Sequence, residues 1–188
     1  MRQVLAAMAL VLTAVPLLAQ SPGRPNTRQG FWASFGVGAG STGAECNQCS
    51  SDRTTGGSGY IRLGGTVSNK VLLGGESTGW FHSEGGVDET LGFASFVLLW
   101  YPSATGAFYL KFGLGGMSYE AQAPLLELTA TAPSGSFGLG YEIRVGRNVS
   151  IVPFLNSLAS SSVELKVNGT PVPTDDISVT LVQLGVGV

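Results

Sequence analysis

The most chemically pointed pair in this 188-residue sequence is Cys46-Asn47-Gln48-Cys49. A C-x-x-C pair is redox-active where a helix N-terminus lowers the thiolate pKa, and is half a zinc site where further thiols or imidazoles complete a tetrahedron. No helical pattern surrounds it, His82 is the only histidine, and there is no third cysteine. Ser50 follows where haem attachment requires histidine. In an exported chain the pair reads as a short loop disulfide between Cys46 and Cys49. His82-Ser83-Glu84 contains the residue types of a hydrolase triad. In extended backbone, positions 82 and 84 point one way and 83 the other, so the hydroxyl cannot meet the imidazole. The tripeptide reads as a polar rim, and no catalytic residue is expected. Gly38-Ala39-Gly40-Ser41-Thr42-Gly43 fits G-x-G-x-x-G, but a phosphate cradle needs a helix after it, and polar Glu45-Cys46 follows. Asn148-Val149-Ser150 and Asn168-Gly169-Thr170 fit the glycosylation sequon and read as turn residues. No cofactor-binding or metal site is expected.

The elements that would position these residues are strands. Charged residues make up 12% of the chain, hydrophobic ones 44%, and 28 residues are glycine. Low charge with high apolar content excludes disorder, and glycine without a three-residue period excludes collagen. A net charge of −2 gives no footprint for nucleic acid. Arg2, an apolar run from Val4 to Leu18 and small Ala19 have the order of a secretory signal, predicting cleavage after residue 19. That run is too short to anchor a span. A polar tail then covers residues 20–29. From 30 onward, period-two alternation predicts eight strands at about 30–40, 58–67, 71–81, 91–101, 107–119, 133–144, 148–158 and 177–188. Phe108, Leu110, Phe112 and Leu114 share one face, and Tyr109, Lys111, Gly113 and Gly115 the other. The parity of Phe96-Val97-Leu98-Leu99 is not assignable from sequence, because both faces are apolar.

Connection lengths alternate. Tight turns at Ser68-Asn69-Lys70, Pro102 to Gly106, and Val145-Gly146-Arg147 alternate with longer stretches at 41–57, 82–90, 120–132 and 159–176. A barrel crossing a membrane sorts its connections this way, with short inner turns and long outer loops. All seventeen aromatics lie within the eight strands, and in strands of clear parity glycine and small polar residues crowd the other face. A soluble barrel of lipocalin type would turn its charges outward; here the mid-strand charges share a face with glycine. The prediction is an all-β fold, an eight-stranded antiparallel up-and-down transmembrane β-barrel over residues 30–188.

The signal peptide, the eight strands and stretches such as Gly30-Phe31-Trp32-Ala33-Ser34-Phe35-Gly36-Val37-Gly38 resemble the small bacterial outer-membrane β-barrel proteins of OmpA-like and OmpX-like type. The resemblance implies residence in the bacterial outer membrane after export through the periplasm. It also implies contact with outer-membrane lipids and lipopolysaccharide, and insertion by the barrel-assembly machinery. Such barrels end in an aromatic residue read by that machinery. Here the alternation reaches Leu184, Val186 and Val188 without the aromatic, so either the signal is weak or the sequence stops short of it.

Five charges fall inside strands: Arg62, Glu76, Lys111, Glu142 and Arg144. A turn centred on Asn69 sets Arg62 opposite Glu76. On the lipid face an Arg or Lys at midplane would cost roughly 2–4 kcal/mol, so all five are expected inward, as one charge network plugging the lumen. The expected protein is non-enzymatic, structural or surface-interacting through its outer loops. A narrow gated channel and a lipid-modifying barrel enzyme are the alternatives. The outer loops carry ten acids against two bases, predicting an acidic rim that meets lipopolysaccharide through divalent cations. Glycine is expected to line a narrow lumen. Nothing in the loops names an extracellular partner.

Overall fold

Alternating sequences give each strand two unlike faces, and closing the sheet leaves no ladder edge exposed. The computed structural model describes residues 28–46, 49–50, 53–123, 126–161, 163–172 and 177–188. The proposed signal segment 1–19 and residues 20–27 of the tail lie outside the described residues. The strands are β1 (Phe31–Cys46), β2 (Cys49–Ser50), β3 (Thr54–Ser68), β4 (Val71–Glu84), β5 (Val87–Trp100) and β6 (Phe108–Ala123), followed by β7 (Leu126–Tyr141), β8 (Ile143–Arg144), β9 (Ser150–Ser160), β10 (Glu164–Val167), β11 (Thr170–Val172) and β12 (Ser178–Gly187). Eight of them, β1, β3, β4, β5, β6, β7, β9 and β12, run antiparallel in sequence order. The last returns to the first, from Gly36 opposite Gly187 to Glu45 opposite Ser178, and closes the barrel. The fold is all-β, with no helix among the described residues.

The strands run further than the sequence pattern predicts, and the expected long loops are mostly ladder. The stretch 82–90 reduces to a two-residue turn, because β4 continues to Glu84 and β5 begins at Val87. Gly85 and Gly86 both have positive φ, 61° and 82°, the backbone that a two-residue hairpin requires. Strands β6 and β7 likewise pair as far as Ala123 and Leu126. In the stretch 159–176, β10 and β11 form a hairpin around Asn168 and Gly169, again at positive φ. That hairpin pairs with β7 from Thr131 to Leu128, above the point where β9 stops pairing it at Ser134. The physical reason is backbone satisfaction: a strand leaving the barrel keeps its hydrogen bonds by continuing in a hairpin, whatever its side-chain pattern.

Outward residues form an apolar belt. Phe35, Ile61, Leu63, Leu73, Phe96, Phe112, Leu114, Phe137 and Leu184 are exposed, with Phe96 at 85%. That exposure settles the parity of β5: Phe96 faces out, while Leu91, Phe93, Ser95, Val97 and Leu99 are buried in the lumen.

The lumen carries the expected glycine and small polar residues, Gly36, Gly40, Gly140, Ser58 and Ser95 among them, and large side chains besides. Its long-hairpin half is a packed apolar cluster of Trp80, Leu91, Phe93, Met117, Leu158 and Leu181, among others. Its short-turn end holds a second cluster, Leu72, Leu99, Tyr101, Tyr109 and Val152. The glycines are there to admit these rings. A Cβ on Gly140 would stand 2.4 Å from the Tyr109 ring, and one on Gly36 would stand 2.5 Å from the Tyr60 ring. Aromatic residues therefore occupy both faces, and the inward rings of Tyr60, Trp80, Tyr109 and Phe154 are each accommodated by a missing side chain beside them.

Candidate functional site

Register builds the centre of the lumen. Arg62 on β3 lies directly opposite Glu76 on β4. Lys111 on β6 is two strands further round, and its long side chain reaches the same carboxylate. Arg62 Nε donates to Glu76 Oε2 at 2.6 Å, with Nη2 also 2.6 Å from that oxygen. Lys111 Nζ donates to the other oxygen, Oε1, at 2.5 Å, and Thr78 adds a hydroxyl at 3.3 Å. Arg62 and Lys111 are 1% exposed and Glu76 is 5%. The Arg62 guanidinium also lies over the Tyr60 ring, 4.2 Å from its centroid, a cation–π contact. One carboxylate thus neutralises two cations only in part, and the trio keeps a formal charge of +1.

The two other strand charges sit elsewhere. Glu142 follows β7 at the short-turn end and is bound by Arg28, a residue of the polar tail. Arg28 Nη2 donates to Glu142 Oε2 at 2.7 Å and to the Gly106 carbonyl at 2.7 Å, while Nη1 reaches the Ala104 carbonyl at 3.4 Å. The guanidinium lies 3.4 Å from the centroid of the Tyr101 ring, and the Tyr101 hydroxyl donates to Glu142 Oε1 at 2.6 Å. Arg28 thereby clamps the tail onto the turn after β5 and is itself buried. Arg144, in β8, makes no ion pair among the described residues. The five strand charges are consequently a central trio, a rim clamp and one unpaired cation, not a single network. The reason is height along the barrel axis: Glu142 and Arg144 lie past the end of β7, several residues below Lys111. Sequence reading missed Arg28 and Tyr101, because a lone arginine in a polar tail carries no spacing signal.

Below the trio a cavity of about 880 Å³ opens at the short-turn end. Trp32, Leu72, Leu99, Tyr101 and Tyr109 wall it, with Arg28, Arg144, Arg147 and Glu142 around them and Arg62 also lining it.

The remaining sequence motifs are placed as follows. Gly38, Gly40 and Gly43 lie within β1, which is strand throughout. His82 contacts Glu84 at 3.3 Å and stacks near Trp80, whereas the Ser83 hydroxyl donates to Asp88 across the hairpin. The nucleophile and the base of a hydrolase are thus not joined here. Cys46 and Cys49 are opposite each other in the β1–β2 backbone register. Their side chains lie outside the described residues, and so does the expected disulfide. Among the described residues no group of three or more metal-ligating side chains is assembled.

No protein-family model matches the chain. No curated protein matches it in sequence. Solved structures do. Neisserial surface protein A aligns with a TM-score of 0.55 at 14% identity, over 85% of this chain and 99% of its own. Ail, the attachment invasion locus protein of Yersinia pestis, aligns with a TM-score of 0.54 at 15% identity, over 85% of this chain and 97% of its own. Ail in complex with the heparin analogue sucrose octasulfate gives 0.51 at 13% identity, over 85% and 97%. The chain has the fold of these small eight-stranded outer-membrane β-barrels.

Proposed function

We propose that the chain is an integral protein of the bacterial outer membrane, a closed and non-enzymatic barrel that acts through its outer hairpins. The observation that carries this reading is the opposition of its two faces. The belt outside is apolar, and the strand charges Arg62, Glu76 and Lys111 are buried inside. Only a lipid surround makes that inversion favourable: water outside would reward the reverse arrangement. The lumen is filled at two heights, by the charged trio and by the cluster around Trp80, Leu91 and Phe93, which supports a plugged barrel over a channel. The separation of Ser83 from His82 supports a scaffold over a lipid-modifying enzyme.

In this reading the ends carrying the termini and short turns face the periplasm, and export, insertion by the barrel-assembly machinery and residence among lipopolysaccharide follow from the location. One structural neighbour was crystallised with a heparin analogue. The hairpin regions of this chain hold ten acids against two bases, so its outer rim favours cation-bridged lipopolysaccharide over sulfated sugar. Electrophoresis of the purified protein with and without boiling tests the barrel: a migration shift on boiling is expected, and its absence overturns the reading. Planar-bilayer recording tests the plug, with steady unitary conductance refuting it.

A further inference from the structure

The cavity at the short-turn end carries a charge imbalance that the barrel itself does not resolve. Four arginines line it: Arg28, Arg62, Arg144 and Arg147. Arg28 is answered by Glu142 and Arg62 by Glu76. Arg144 and Arg147 have no acidic partner among the described residues. Two wall donors, Arg144 Nε and Trp32 Nε1, are buried and left without an acceptor by the side chains around them. The rest of the lining mixes apolar and aromatic residues such as Trp32, Leu72, Leu99 and Tyr109 with polar Gln29, Ser34, Thr66, Asn148 and Ser150. At about 880 Å³ the space lies within the range of small-molecule sites.

We propose that this cavity binds a soluble organic anion with an apolar body, of the aryl or alkyl carboxylate class. The carboxylate takes the unpaired guanidinium groups of Arg144 and Arg147, where charge-assisted and bidentate hydrogen bonds are strong. The apolar body lies against Trp32, Leu72 and Leu99. Closure of the lumen above, by the trio and the apolar cluster, makes this a pocket reached from one side only, so it serves capture and not passage. The anionic head and apolar body are also the chemistry of an acidic phospholipid, and the experiment separates the two sources.

The test is isothermal titration of 2-naphthoate into the full barrel held in phosphatidylcholine nanodiscs, beside the neutral 2-naphthamide. Naphthoate is expected to bind with a Kd below about 1 mM, and naphthamide at least about tenfold more weakly. The double variant Arg144→Gln/Arg147→Gln is expected to bring naphthoate down to the naphthamide level. The double variant Arg144→Lys/Arg147→Lys, which keeps the charge, is expected to retain part of the difference. All variants are first checked for the shift on boiling that marks a folded barrel. Equal binding of the two probes, no binding of naphthoate, or an unchanged affinity in the glutamine variant would each overturn the site. Loss of naphthoate binding in phosphatidylglycerol nanodiscs would assign the cavity to a lipid headgroup and refute a soluble ligand.

Discussion

Glu76 is the residue on which the centre of the barrel depends, and Glu76→Gln is the most discriminating substitution. It preserves shape and one acceptor but leaves Arg62 and Lys111, each 1% exposed, without a counter-charge. A pair of unit charges about 4 Å apart at an effective dielectric of 20 is worth roughly 4 kcal/mol. Removing one member of a buried pair is known to cost about 3–5 kcal/mol. Both cations here lie closer than that, at 2.6 and 2.5 Å from the carboxylate, so the loss is expected to fall in the same span or above it. The assay is equilibrium urea unfolding in lipid vesicles, followed by tryptophan emission, for which the lumen residue Trp80 is a buried reporter. With a urea dependence of about 2 kcal/mol per M, the midpoint should fall by roughly 1.5–2.5 M. Lys111→Met is the control. It leaves Arg62 and Glu76 as a neutral pair and swaps an ammonium for a similar-sized apolar group, a replacement that is often neutral or stabilising. A Glu76→Gln loss under about 1 kcal/mol, or a Lys111→Met loss as large as that of Glu76→Gln, would refute the account of one carboxylate holding two cations.

The glycine account predicts that Gly140→Val, whose Cβ would stand 2.4 Å from the Tyr109 ring, costs about 1–3 kcal/mol in the same unfolding assay, and that Tyr109→Leu on that background recovers part of it. No recovery would mean that the space beside Tyr109 is not the cause. The rim clamp predicts that trypsin cuts after Arg28 slowly in the native barrel and several-fold faster in Glu142→Gln, since the guanidinium loses its ion pair and a single oxygen is left to accept from both Arg28 and Tyr101. Fast cleavage at Arg28 in the native protein would contradict the clamp. For Cys46 and Cys49, alkylation followed by mass measurement is expected to add label only after reduction; label taken up without reductant would dismiss the disulfide. Replacement of Ser83 by Ala is expected to leave the lipid A profile of producing cells unchanged, because its hydroxyl is bonded to Asp88 and not to His82.

Strand number, closure and the Arg62–Glu76 register were legible because they rest on period-two alternation and on one short turn, both local in sequence. The height of a charge along the barrel was not, because it depends on where neighbouring strands start. Glu142 has the parity of Lys111 but follows the end of β7, so its partner is Arg28, 114 residues away. The apolar filling of the hairpin half escaped notice for a related reason. Trp80, Leu91 and Met117 come from three different strands, and no single strand announces that their inward residues meet at one height. Parity within β5 was hidden because a strand whose outer face joins the apolar belt and whose inner face joins the apolar cluster is apolar on both. The extent of the hairpins was hidden because backbone pairing continues without an apolar pattern to mark it.

The order of chemistry along the axis constrains what the barrel can do. A solute entering from the hairpin end meets tightly packed Trp80, Leu91, Phe93 and Leu181, none more than 2% exposed. One entering from the short-turn end meets an open, amphipathic cavity and then the trio, whose two cations are held by one carboxylate. A channel needs both barriers to yield together, yet they are of different kinds. Protonation of Glu76 would loosen the ion pairs without touching the apolar cluster, and a hydrophobic solute would enter the cluster without releasing Glu76. In the proposed plugged barrel, independent closures of this sort would let the two ends act separately, with acidic hairpins on one side and a cationic pocket on the other.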